Sequence, residues 1–569
     1  MRRMKGAAGL LTALLLAFQL SAQTFALANE DNGIKVVPVN FTHNGYSYEI
    51  EGVAKSTDGD YQMKSPARLA ARKLPSTYDP RSSGEITTVK DQASTGACWA
   101  FSALACAEQD LIKKGLENPS AEFSVPALVL SSNSGTATGK DDFSSGGNWL
   151  FAASALANGK GLCYEDYEPF LESGTENMIV SENKKSVSEY RLNYVMELSS
   201  TTQVKRKIME LGAVSASYFA GNGYMNHNNT AYYDPDASKN TIINHSVTVV
   251  GWDDNYSKDN FRYKPANNGA WLVKGSWGAD QDNDGFYWVS YDEAEFGQFC
   301  CYDFEESCDN TYHYSKMTGY VVNASNDGSV YGANVFTAKA DEKLDKAGFM
   351  YVGKTGSADY TLSVYTNVSD SDPIGVLETQ ISGSVSANGF YTVDFPEDIL
   401  LEEGEKYSIS VKFSGDSGRG YLLAESDRTS NAQSGQSYVS LNGKYWSDVG
   451  ADKTDSIGSL FIYAYTDDTA KPDKSSLEST LAKYGTLAGC EREANNARTV
   501  LADETASKND ISNAQKLLIS AAEEQDEALV ITTEAQWESF AKRVSSGESF
   551  EGKLVTLEAD LDFDGKTIS

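Results

Sequence analysis

Asp91-Gln92-Ala93-Ser94-Thr95-Gly96-Ala97-Cys98-Trp99-Ala100-Phe101-Ser102 is the stretch from which the rest of the chain is read. Gly96 and its small neighbours make a turn. From Cys98 to Lys114 the pattern becomes helical, and Gly115 stops it. Lys113 and Lys114 fall in the last turn, where the macrodipole favours cations. Cys98 therefore sits at a helix N-terminus, where unpaired amides and the dipole stabilise a thiolate. A lowered thiol pKa is expected, which makes a strong nucleophile near neutral pH. Cys106, on the same helical face, has the surroundings of an ordinary buried cysteine. Cys98 does not, because Gln92 and Gly96 surround it with turn chemistry.

A thiolate nucleophile needs a base. Of the four histidines, His43 precedes this region and His313 lies beyond it. His227 stands in the polar loop Asn226-His227-Asn228-Asn229 and reads as surface. His245 opens the apolar run His245-Ser246-Val247-Thr248-Val249-Val250-Gly251-Trp252. The mouth of a buried strand is a good place for a base.

Gln92 with Gly96-Ala97-Cys98-Trp99-Ala100-Phe101 resembles the nucleophile motif of papain-like cysteine peptidases. Further motifs follow in the family's order. Leu74-Pro75-Ser76-Thr77-Tyr78-Asp79-Pro80-Arg81 resembles the mature start, and Gly146-Gly147-Asn148 the glycine pair of the substrate cleft. Asn244-His245-Ser246-Val247 with Gly251-Trp252 resembles the histidine strand. Gly269 to Lys274, Ser276-Trp277-Gly278 and Asp284-Gly285-Phe286-Tyr287 resemble the final motif. The resemblance covers residues 74–305. It implies Cys98 as nucleophile and His245 as general base and then acid. It also implies an oxyanion hole from the Gln92 amide and the Cys98 N–H, and Trp277 as a shield over the histidine. By family position Gly146, Gly147, Trp149, Ala216, Ile243 and Ser246 line the substrate cleft. Of these, Trp149, Ala216, Ile243 and Ser246 would form the main specificity pocket, which implies an apolar or aromatic side chain at the second residue before the scissile bond.

Three departures stand out. The family's orienting Asn is Gly275 here, and a glycine has no side chain with which to hold an imidazole. Thr95 replaces a cysteine that many members pair with one near the glycine pair, where this chain has Ser144 and Ser145; both halves are absent together. Residues 29–73 are short for an inhibitory propeptide and lack a long amphipathic helix. A trypsin-like cut near Arg72-Lys73 is the expected maturation.

The remainder supplies organisation. Arg2, Arg3 and Lys5, the apolar run Ala7 to Phe18, and Ala26-Leu27-Ala28 read as a signal peptide over residues 1–28. The run is shorter than the roughly 20 residues a membrane span needs. Across 569 residues, 80 acidic and 48 basic side chains leave a net charge of −32, which excludes nucleic acid as partner. After the 29–73 extension and the 74–305 peptidase, residues 306–467 alternate as in an antiparallel β-sandwich. Tyr331-Gly332-Ala333-Asn334-Val335-Phe336 and Leu401 to Tyr407 there resemble the lectin-like domain that follows such peptidases in exported proteins of Gram-positive bacteria. Residues 468–530 read as a helical hairpin, with Asn509 or Asp510 capping its second helix. Residues 531–569 give a short helix around Trp537 and Phe540, then a strand, and resemble the entry to a β-helical repeat that continues past Ser569.

No cofactor or metal is implied. Asp280 to Gly285 and Asp560 to Gly565 begin like calcium loops, but Tyr291 stands where the closing Glu belongs and the second loop runs off the chain. Both read as turns. Cys300 and Cys301 are vicinal and no CxxC pair exists, so Cys163, Cys300 and Cys301 are structural thiols or hold one bridge.

The expected fold is thus multidomain: a papain-like α+β peptidase with a helical half and a β-barrel-like half, an all-β sandwich, a helical hairpin and a β-rich start. The expected protein is an exported endopeptidase, free or held at the cell surface. It acts on proteins or peptides, and the sandwich binds a glycan or other surface ligand. The rival is a pseudo-peptidase acting as an adhesin, which Gly275 favours. Acyl transfer to an amine instead of water would use the same dyad.

Overall fold

The computed structural model describes residues 74–132, most of 143–165 and, with short interruptions, 189–531. Outside these it describes 34–38, 42–43, 46–47, 537, 540 and 555–557. The signal peptide, Ser144, Ser145, Arg72-Lys73 and most of both acidic runs lie outside the described residues.

Strand β1 (Ile34–Pro38) comes first. Helix α1 (Cys98–Lys114) organises the first half. Every residue from Trp99 to Leu111 is buried, so this helix has no solvent face. Gly115 ends it with φ +74°, its N–H returning to the carbonyls of Leu111 and Ile112. Helices α2 (Val125–Ser132) and α3 (Trp149–Ala157) pack against it. Asn148 caps α3 by accepting from the Leu150 N–H at 2.9 Å. On the other side lie the strands β2 (Tyr190–Leu198), β3 (Val214–Tyr218), β4 (His245–Asp253), β5 (Ala270–Lys274), β6 (Phe286–Ser290) and β7 (Gly297–Glu306). They run in the order β2-β7-β3-β4-β5-β6, all antiparallel. His245 pairs with Tyr218 at the end of the β3–β4 ladder.

This sheet does not stop at the peptidase half. Strand β8 (Gly389–Leu401) of the sandwich pairs with β2 through Gly389↔Met196, Phe390↔Val195 and Tyr391↔Tyr194. The sheet continues to residues 342–351, 462–468 and 310–312. Glycine is required at 389, because a Cβ there would lie 2.1 Å from the Val195 carbonyl oxygen. One cluster of buried apolar residues accordingly runs from Val89 to Tyr465. Two further sheets complete the sandwich. One has six strands, from 376–385 to 447–448; the other has the order 34–38, 320–324, 421–426, 457–460. The extension thus lends β1 to the sandwich, pairing Ile34↔Ala324 through Pro38↔Tyr320.

Beyond the sandwich the helical hairpin is corrected to three helices, Ser475–Tyr484, Glu491–Ala502 and Lys508–Glu527. The reason is burial: Leu477 is fully enclosed with Ala494, Ala497, Ile511, Ala514 and Leu518, which two helices would leave open on one side. The last helix begins at Lys508, so Asn509 and Asp510 lie in its first turn. Residues 529–531 and 555–557 then pair in parallel.

Gly389→Ala is expected to destabilise the full chain by about 1–3 kcal/mol through the forced separation of β2 and β8. Urea unfolding measures this, with faster proteolytic nicking between the two halves as the accompanying sign.

Candidate active site

The turn before α1 is tied to the segment after β5 by backbone pairing. Gln92 N–H donates to the Ser276 carbonyl at 2.8 Å, Gly278 N–H donates to Lys90 at 3.1 Å, and Asp91 bridges Trp277. Side chains complete the tie. The Ser276 hydroxyl donates to Gln92 Oε1 at 2.6 Å, and Gln92 Nε2 donates to the Thr95 carbonyl at 2.9 Å. Both ends of the Gln92 amide are thereby assigned, and Nε2 has a second N–H to give.

Cys98 is the first residue of α1 and is half-buried. Its sulfur faces Ser246, the residue after His245. The Ser246 N–H and hydroxyl, with the N–H groups of Trp99 and Cys98 itself, hold the thiol pKa down. Burial outweighs them and pushes it up. The lowered pKa expected from the helix terminus is therefore corrected: the amides are in place, but the packed surroundings disfavour the charged form more strongly. Ser246 Oγ also lies 3.0 Å from Ser217 Oγ on the neighbouring strand.

His245 is 5% exposed. Its ring stacks on Trp277 with centroids 4.4 Å apart and planes 5° apart, and the Tyr218 ring meets it edge-on at 5.9 Å. Trp277 is 41% exposed, so its outer face meets solvent and its inner face covers the imidazole. Nε2 of His245 is buried with no hydrogen-bond partner among the described residues. Burial lowers the imidazole pKa to about 4. Position 275 is also tight. A Cβ there would lie 3.1 Å from the Gly285 carbonyl oxygen and 3.4 Å from the Tyr287 ring. Tyr287 and Tyr218 join hydroxyls at 2.9 Å, so a bonded tyrosine pair links the wall of Gly275 to the edge of His245. Tyr287 stands inside the final motif of the sequence, but nothing in the local pattern marks Tyr218 as its partner.

The glycine pair is explained at Gly147, where a Cβ would fall 2.4 Å from the Trp99 ring. Trp149 is half-buried and donates through Nε1 to Glu197 at 3.0 Å. Gly146, Ile243 and Ser246 are half-buried, and Ala216 is fully buried in β3. His227 is exposed, and His313 Nδ1 bonds the Ser315 carbonyl. All seven cysteines are thiols, so Cys163, Cys300 and Cys301 form no bridge. Sequence reading also missed a buried ionic group beneath the site. Glu108 receives the Thr87 hydroxyl at 2.6 Å and lies 3.4 Å from Lys90 and 3.8 Å from Lys274, the residue before Gly275. Among the described residues no cluster of His, Cys, Asp or Glu could hold a metal ion.

Residues 74–324 match the papain family cysteine protease model, and residues 311–466 match the lectin-like domain model. The chain therefore carries a papain-family cysteine protease domain followed by a lectin-like domain. It resembles the solved cysteine protease and lectin-like domains of Cwp84, a surface layer associated protein of Clostridium difficile. Identity is 25% and the TM-score 0.62, over 77% of this chain and 99% of that one. The clostridial cysteine protease Cwp84 after propeptide cleavage is 27% identical with a TM-score of 0.61, over 69% of this chain and 100% of that one. Mouse cathepsin K is 24% identical over 216 residues, 38% of this chain and 59% of cathepsin K. The chain thus spans about three fifths of that curated relative.

The buried imidazole makes stability depend on pH. Its pKa is about 4 when folded against an ordinary 6.5, so the unfolded chain takes up a proton that the native ring refuses. Stability is expected to fall as pH drops from 6.5 towards 4. His245→Gln should flatten that part of the curve, measured by denaturant midpoints at successive pH values.

Proposed function

We propose that this chain is an exported cysteine endopeptidase that hydrolyses peptide bonds through a thioester on Cys98. The observation that carries the reading is the thiol at the start of α1, seated against Ser246 beside a histidine capped by Trp277. His245 takes the Cys98 proton as the sulfur attacks the scissile carbonyl. The developing oxyanion receives N–H groups from Gln92 and the Cys98 backbone. The C–N bond breaks as His245 returns the proton to the leaving amine. Water, deprotonated by the same imidazole, then cleaves the thioester and restores the thiol. An apolar side chain of the substrate rests against Trp149, Ile243 and Ser246.

The resting dyad is neutral. A ring held near pKa 4 does not keep the thiol's proton at neutral pH, and burial holds the thiol itself protonated. The proton therefore passes to His245 as the sulfur attacks, when the forming oxyanion meets its N–H donors.

Export rests on the leader-like sequence. No helix among the described residues is long and apolar enough to cross a membrane. A surface role is supported by the likeness to Cwp84, and a glycan or peptide is the proposed ligand of the lectin-like domain. One observation favours the rival adhesin reading: Nε2 of His245 has no orienting partner among the described residues.

The purified full chain should hydrolyse an unstructured protein under reducing conditions, and Cys98→Ala should lower the rate by at least about a thousandfold. Equal rates for the two proteins would leave only the adhesin. Gly275→Asn offers Nε2 an acceptor, which stabilises the imidazolium and raises the His245 pKa. Cys98 alkylation by iodoacetamide should then extend to lower pH than in the parent, once the Gly285 carbonyl and the Tyr287 ring give way.

A further inference from the structure

The half-buried indole of Trp149 is held by Glu197, which is held in turn from the lectin-like domain. Its Nε1–H donates to Glu197 Oε1 at 3.0 Å, and Asn388 Nδ2 donates to Glu197 Oε2 at 3.0 Å. The Asn388 amide is itself held, because Gly353 N–H donates to its Oδ1 at 2.8 Å. The backbone adds a fourth bond, from Glu197 N–H to the Asn388 carbonyl at 2.9 Å. Asn388 is 4% exposed, and it immediately precedes Gly389, the residue that lets β8 pair with β2. The relay therefore runs from the lectin-like domain, through the seam between the domains, to the first residue of α3.

The chemistry of this relay is specific. Two neutral donors converge on Glu197, and a carboxylate is the side chain with one acceptor oxygen for each. No cation pairs with it among the described ion pairs, although burial makes its charged form costly and raises its pKa. A hydrocarbon at 197 would strand both donors. Glutamine would set an N–H₂ against an N–H₂. Trp149 in turn stands next to the glycine pair, where Gly147 lies against the ring of Trp99, the neighbour of Cys98.

We infer that the lectin-like domain is a working part of the peptidase cleft. Asn388 and Glu197 are positioning residues that set the indole plane of Trp149, and so determine acceptance of an apolar side chain at the second residue before the scissile bond. This rests on the peptidase reading above and on Trp149 as a wall of the cleft. The lectin-like domain is then indispensable to selectivity, whatever it binds elsewhere.

The test uses the full chain and two peptides that differ only in phenylalanine or glycine at that second position. Asn388→Ala and Glu197→Gln are each expected to raise KM for the phenylalanine peptide roughly tenfold, with kcat and the glycine peptide's KM changed less than about twofold. The swap Glu197→Gln with Asn388→Asp rebuilds every bond. The introduced amide donates to the introduced carboxylate, while its oxygen still accepts from Trp149 and the carboxylate's other oxygen still accepts from Gly353. The swap should restore selectivity. Equal effects on both peptides, or no recovery in the swap, overturn the inference. A second readout is independent of turnover. With 5-fluorotryptophan incorporated, the ¹⁹F resonance missing in Trp149→Phe should shift in each single variant and return in the swap. If the parent cleaves neither peptide, the peptidase reading fails while this resonance still decides the positioning claim; an unmoved resonance overturns it.

Discussion

Helix α1 is buried along nearly its whole length, and that burial is the constraint around which the protein is arranged. A helix without a solvent face must bring partners for its polar side chains, because an unpaired charge in an apolar setting is strongly disfavoured. Glu108 finds Lys90, Lys274 and Thr87. Asp110, which burial pushes to about pKa 7, finds Lys114 at 2.9 Å and the N–H of Phe304 at 2.7 Å. These ties reach different elements. The helix therefore fixes the segment that leads through Gly275 to Trp277, and it fixes β7. At its open end the same helix presents Cys98.

The polar ties continue into the sandwich. Lys114 reaches Asp303 at 2.7 Å, Asp303 receives Asn193 at 2.7 Å, and Asn193 accepts the hydroxyl of Thr392 on β8. Arg191 meets Glu305 at 2.6 Å and stacks over Tyr465, while Lys346 reaches Glu305 from the far side. The seam is thus a shared sheet with apolar packing and hydrogen bonds. Such ties are worth little singly at a surface, but buried and linked they specify one relative placement.

The site itself combines loss and retention. Gly275 offers the imidazole no side chain, and the tyrosine pair at 218 and 287 packs the surrounding space without reaching Nε2 with a hydrogen bond. Trp277 still stacks on the ring, and Gln92 is still held at both ends. Burial disfavours a charge on either member of the proposed dyad. The helix terminus and the Ser246 donors then act on the thiol against burial, which is the larger effect.

The local placement of the candidate site residues was legible in the sequence wherever it depends on chain order. A cysteine opening a helix and a histidine opening an apolar strand could be read from local pattern, whereas Gln92 and Gly275 stood out only through the family resemblance. The alternation of the sandwich was legible for the same reason, since a pleated strand writes a period of two. Burial and long-range pairing were not. The direction of the Cys98 pKa depended on how much protein surrounds the sulfur, and the three-helix count depended on what encloses Leu477. Residues 34–38 gave no sign that they would join a strand near 320. The pairing of Gly389 with β2, and the path from Trp149 to Asn388, join residues far apart in the chain. Local propensity is blind to such contacts, because they exist only once the backbone has brought two distant surfaces within hydrogen-bond reach. Only tertiary structure decides them.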